Sequence, residues 1–202
     1  MSEVNINLGE VIMNKKISKT TLLMICGLAI ALNIVLGIIT SALKLPLYLD
    51  TIGTVFVAIY FGPWYGAAVG GLTNLLSSIL TNPQAIPFMI VSIVIGLVVG
   101  FVFRKVKVSF LSSLIIGLAL SIIAPLIGTP IGIYVYGGLT GTVSDIAVMW
   151  LKQSGASIFT ASFIPKIFNN LIDKVGTCLI LYFIIAALPQ QYRCSNFKGK
   201  SK

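Results

Sequence analysis

Apolar positions in this chain neither alternate nor keep to one helical face; they run on. No charged residue interrupts 20–43, 51–103 or 108–144, stretches of 24, 53 and 37 residues. Each exceeds the ~20 apolar residues that an α-helix needs to cross a bilayer, so the pattern predicts membrane spans. The first covers 20–42, behind Lys15, Lys16 and Lys19, and is too long for the apolar core of a cleaved signal peptide. Within 51–103, Gly62-Pro63 and Thr81-Asn82-Pro83-Gln84 are breaks, because proline lacks an N–H and drives the residue before it out of the helical region. Spans at 50–61, 64–80 and 86–103 follow, then a fifth at 110–127 and a sixth at 163–188. The expected fold is an all-α integral membrane protein, a six-transmembrane-helix bundle forming one membrane domain over 1–202. Residues 1–19 form its N-terminal segment, 20–188 the bundle and 189–202 a basic tail. A long outer loop, 128–164, joins helices five and six, and its middle, 143–152, reads as a short interfacial helix capped by Ser144.

Composition sharpens the picture. Charged residues make up 9% of the chain and hydrophobic ones 57%, against about 25% charged in soluble domains. Of the 14 basic residues, the six-span arrangement puts Lys15, Lys16, Lys19, Arg104, Lys105, Lys107, Arg193, Lys198, Lys200 and Lys202 on one side. Lys44, Lys152 and Lys166 fall on the other, with Lys174 inside span six. Short cytoplasmic loops carry the Lys/Arg excess, so both termini are expected in the cytoplasm of a cell with a bacterial-type plasma membrane. The net charge of +9 is thus a mark of topology, and no nucleic-acid partner is expected. Histidine is absent, which removes Ser-His hydrolysis and His-ligated zinc chemistry. Gly199-Lys200-Ser201 lacks the earlier glycine of a phosphate-binding loop, since Cys194 stands there. The chain is not expected to be an enzyme; energy for transport would come from an ion gradient or another polypeptide. Cys26, Cys178 and Cys194 form neither a disulfide framework nor a metal-ligand spacing, and no cofactor or metal is expected.

Ionisable groups at membrane depth point to function by default. In span six, Lys166, Asn169, Asn170, Asp173 and Thr177 recur every three or four residues and share one helical face. They either bracket a small polar ligand or pack on the bundle, with Lys166 snorkelling outward and Asp173 paired to Lys174 or to backbone. Asp50, before span two, is a helix cap or a ligand contact; Asn74, in span three, lines a cavity or bonds a neighbouring helix. Tyr48, Gln84, Tyr134, Tyr136 and Trp150 in the outer loops suit stacking and hydrogen bonding to a flat heterocycle, although aromatic residues also anchor at interfaces. Small residues at fourfold spacing, Gly62, Gly66 and Gly70, then Gly96 and Gly100, and also Gly27 and Ala31, permit close helix approach, within this chain or to another.

The stretch Ile59-Tyr60-Phe61-Gly62-Pro63-Trp64-Tyr65-Gly66-Ala67-Ala68-Val69-Gly70-Gly71-Leu72-Thr73-Asn74, on a six-span chain of this length, resembles the substrate-binding S components of energy-coupling-factor (ECF) transporters. The family often carries Asp where Asn74 stands. The resemblance implies a membrane receptor that captures a vitamin or related micronutrient outside the cell. Transport then needs a transmembrane coupling subunit and two ATPase subunits. It also implies a small-residue docking surface on the first helix, for which Gly27, Ala29 and Ala31 are the nearest equivalents. The ligand site would lie at the outer ends of helices four to six. A polar aromatic heterocycle, such as a thiamine precursor, another B vitamin or a nucleobase-like compound, suits the side chains there. Two other readings stand beside it: a membrane sensor, for which the short stretch after span six is expected to leave no output domain, and a stand-alone secondary transporter, which usually shows inverted repeats.

Overall fold

A computed structural model describes residues 18–43, 45, 48–139 and 144–197, with the side chain of residue 191 excepted. Helix α1, Lys19–Ala42, opens on Ser18, whose hydroxyl accepts the Thr21 N–H at 3.1 Å. Helix α2, Ile52–Phe61, ends at Gly62, which turns the chain at φ 96°, and Pro63 begins α3, Pro63–Thr81. Only glycine takes that φ without strain, and proline suits a first helical turn, where its missing N–H has no partner to lose. Asn82 caps a 3₁₀ turn, Pro83–Phe88, that runs into α4, Met89–Lys105. Ser109 and Ser112 form a reciprocal capping box at the start of α5, Phe110–Tyr136, which ends on Gly137 at φ 63°. A short α6, Asp145–Gln153, precedes α7, Ile158–Ala187, and a 3₁₀ turn, Gln190–Tyr192.

Seven α-helices are thus described, and four stretches are long and apolar enough to cross a membrane: α1, the 3₁₀ turn with α4, α5 and α7. The expected spans two and three correspond to α2, which has only 10 residues, and α3, which Thr73, Asn74, Ser77 and Ser78 make less apolar. Two boundaries move. Helix α5 continues past 127 to Tyr136, through Pro125 and Pro130, and α7 begins at Ile158 instead of 163. A proline costs one backbone hydrogen bond, whereas a broken helix in hydrocarbon leaves several groups unpaired, so the chain stays helical. The expected outer loop shrinks accordingly, and α6 occupies most of its predicted helical part.

The core is shared by α2, α4, α5 and α7, where Val55, Ile95, Val99 and Leu120 are almost wholly enclosed. Helix α2 touches α1, α3, α4 and α7. Helices α3 and α4 cross through their glycines. A Cβ on Gly66 would lie 2.5 Å from that of Ala58 and 3.2 Å from the Gly96 carbonyl, and one on Gly70 would lie 2.5 Å from the Ser92 carbonyl. Gly100 likewise rests on Pro63, and the Arg104 guanidinium lies over Gly62. The glycine stripes of 62–70 and 96–100 therefore pack against each other inside this chain. By contrast α1 buries only Ala29, Asn33 and Thr40 and leaves Leu23, Leu28, Leu32 and Val35 exposed.

The last described residues are not a loose tail. Val108 N–H donates to Asn196 at 2.7 Å, Asn196 Nδ2 to Phe103 O at 2.8 Å, and Tyr60 OH to Tyr192 O at 3.1 Å. Phe197 stacks on Tyr182 beneath the Arg193 guanidinium, which also donates to the Leu188 and Ala186 carbonyls at the end of α7. This end of the bundle, with the end of α2, the 106–109 link and the end of α7, is called the tail end below. The other, with 48–51, 82–88, 137–139, 154–157 and α6, is the loop end.

Candidate substrate site at the loop end

The polar face of α7 divides into a closed cluster and an open one. In the closed cluster, Asp173 is fully enclosed; Leu49 N–H donates to its Oδ1 at 2.8 Å, and its Oδ2 pairs with Lys174. Lys174 Nζ also donates to Thr51 Oγ1 at 3.0 Å and lies 3.7 Å from Asp50 Oδ1. Three ionised groups would be costly here singly; gathered, they offset one another's desolvation. The cluster clamps the segment before α2 to the middle of α7. Asp50 is no helix cap: Thr51 occupies that position, without a side-chain bond. Asp173 follows the packing alternative, paired to Lys174 and to backbone at once.

Nearer the loop end the stripe is less satisfied. Asn170 turns its amide back to the Lys166 carbonyl at 2.8 Å, and Asn169 donates to Ser144 Oγ at the start of α6 and faces Tyr48. Lys166 is buried, not snorkelling, and its Nζ has no hydrogen-bond partner; Thr177 is enclosed with its hydroxyl unpartnered too. Between α6 and α7 lies an open, mostly apolar groove of about 340 Å³, with Trp150, Phe168 and Pro165 on its walls and Ser144 and Asn169 as its polar groups.

The other sequence candidates are spread out. Tyr136 accepts from Asn82 Nδ2 at 2.9 Å and stacks on Phe88 with ring centroids 6.2 Å apart, which ties the end of α5 to the 3₁₀ turn. Tyr134 is 92% exposed, and Gln84 is exposed too. Asn74 bonds Ser92 across the α3–α4 crossing, the helix-bonding alternative. On α1, Gly27 has open space around it and Ala31 is exposed, whereas Ala29 faces inward, its carbonyl against Gly53.

One polar centre is absent from the sequence candidates. Asn33, fully enclosed, donates to Thr54 Oγ1 at 3.1 Å and Thr73 Oγ1 at 3.2 Å and accepts Gly53 N–H at 2.7 Å. The signal was an amide in the middle of an otherwise apolar span. Lys174, read in the sequence as a pairing partner for Asp173, and Tyr48, read as a stacking or interface aromatic, join the same constellation.

Among curated proteins and solved structures none matches the chain. The family described as "ECF transporter, substrate-specific component" does, over residues 21–186, which takes in all seven helices but the first two residues and the last residue of the bundle. This apolar, multi-helix chain, matched over most of its length, belongs to the family of substrate-specific components of ECF transporters.

Proposed function

We propose that this chain is a capture subunit that binds a small solute at its loop end, outside the cell, and delivers it in complex with a transmembrane coupling subunit and two ATPase subunits. The family match over 21–186 carries this reading. On it, α1 to α5 and α7 make six crossings, and the basic residues near the tail end, among them Lys19, Arg104, Lys105 and Lys107, set that end in the cytoplasm. The site lies between α6, α7 and the 48–51 segment. Trp150 offers a stacking face, Asn169 and Asn170 offer directional amides, and Lys166 offers a buried charge, while Asp50 and Asp173 hold the segment in place. The groove's size and aromatic wall favour a vitamin-like heterocycle. Gly27 and Ala31, exposed on the face of α1 that the bundle leaves uncovered, supply the contact for the coupling subunit.

Mass spectrometry of small molecules released by denaturing the detergent-purified protein tests this directly. A stoichiometric compound, together with co-purification of an ATPase-bearing complex from the native host, is the expected result. An empty protein that associates with no such complex would favour the sensor or the stand-alone transporter.

A further inference from the structure

Lys166 stands in the third turn of α7, 8% exposed, and its Nζ is buried without a hydrogen-bond partner. An ammonium in that state at membrane depth is costly, and among the described residues no hydrogen bond repays it. The charges about two turns deeper are engaged with one another: Asp173 is held by Leu49 N–H and Lys174, and Lys174 reaches Thr51 and lies 3.7 Å from Asp50, whose Oδ1 has no hydrogen-bond partner. The charge of Asp145, on the neighbouring α6, acts on Lys166 without a hydrogen bond to the ammonium.

A second orphan lies at about the same height. Helices α5 and α7 run antiparallel, with Gly117 against Val175 and the Ser162 hydroxyl donating to the Gly138 carbonyl at 3.3 Å. Those two contacts bracket Thr129 of α5 to within about one helical turn of the height of Lys166, and Thr129 is fully enclosed with its Oγ1 unpartnered. An ammonium can only donate, and a hydroxyl can donate beside it. The group that completes both is an acceptor, and one carrying negative charge removes the cost of the ammonium as well.

We infer that the solute captured by this chain is an acid, whose anionic oxygens pair with Lys166 and Thr129 between α5 and α7. The inference rests on the capture reading above and narrows its substrate class: a permanently cationic heterocycle is excluded, and one bearing a carboxylate or phosphate fits. Asp145 competes with that anion for the same ammonium.

The test uses the full-length protein in detergent, warmed with a small-molecule extract of yeast divided on anion-exchange resin into a retained, anionic fraction and an unretained one. The melting temperature should rise with the retained fraction alone. In Lys166→Met the rise should vanish, with affinity for the active compound down at least about tenfold, although the ligand-free protein melts no lower than the wild type. Thr129→Val, which keeps the charge, should weaken the response partly, and Asp145→Asn should strengthen it. A rise given by the unretained fraction, an undiminished rise in Lys166→Met, or a rise given only by phosphatidylglycerol micelles would overturn the inference, the last by making a lipid headgroup the anion. No rise with any addition would overturn the capture reading itself, and this inference with it.

Discussion

Asn33, fully enclosed, has three bonds, and each holds a different piece of backbone or side chain: Gly53, Thr54 and Thr73. Helix-to-helix hydrogen bonds in membranes average about 0.6 kcal/mol, so Asn33→Leu should lower stability by about 2 kcal/mol, measured as loss of the folded fraction in denaturant titration of micellar protein. Asn33→Asp, which keeps the acceptor for Gly53, should lose less if it enters the bundle protonated. The charged clamp makes a sharper forecast. Lys174→Met leaves Asp50 and Asp173 facing each other uncompensated, whereas Asp173→Asn leaves Asp50 and Lys174 as a neutral pair and retains an oxygen for Leu49 N–H. Lys174→Met should therefore be the more damaging, by about 3–5 kcal/mol for a broken buried pair, and denaturation of the two variants side by side checks the order. At the tail end, burial pushes the Cys194 thiol up. Its thiolate fraction at neutral pH is then below that of a free thiol, so iodoacetamide should modify it more slowly than free cysteine, the rate climbing as pH rises; peptide mass spectrometry reads this out.

Among the helices, two small-residue stripes that look alike in sequence behave in opposite ways. Gly96 sits on the backbone of Gly66 and Ala67, so Gly96→Leu must drive α3 and α4 apart; the expected result is protein lost to aggregation on size-exclusion chromatography. Gly27 meets nothing within 4 Å, and Gly27→Leu should leave the isolated protein unchanged while abolishing its co-purification with a coupling subunit. Spacing alone could not separate these cases, because close approach depends on which helix lies opposite. The same gap explains where sequence reasoning succeeded. Gly62-Pro63 announced the α2–α3 turn through local chemistry, and the 143–152 helix was legible through its polar flanks. The end of α5 was not, since Pro125 and Pro130 stop helices in water and merely bend them where the backbone has no other partner. On α7 the stripe itself was visible; that Asp173 is held depends on Leu49, distant in sequence and brought in by packing, and that Lys166 is not held shows only once its surroundings are folded.

For the molecule as a whole, the alternating helices set the 144–157 segment and the 190–197 segment at opposite ends, and the capture reading assigns them to opposite sides of the membrane. In a background with the three native cysteines replaced, Ser154→Cys should react with a membrane-impermeant maleimide on intact cells, and Ser195→Cys only after permeabilisation. Both positions are exposed, so silence at either would reflect sidedness and not burial. Helix α2 adds a constraint of another kind. Its 10 residues rise about 15 Å, roughly half of the ~30 Å hydrocarbon thickness, and the polar segment ahead of it is clamped to the middle of α7. A bilayer thicker than the apolar surface around this segment would strain the clamp at a modest cost per ångström of mismatch. The subunit would then respond to acyl-chain length: solute affinity should fall as it is moved from short-chain to long-chain phosphatidylcholine vesicles, making membrane thickness a physical control on nutrient capture.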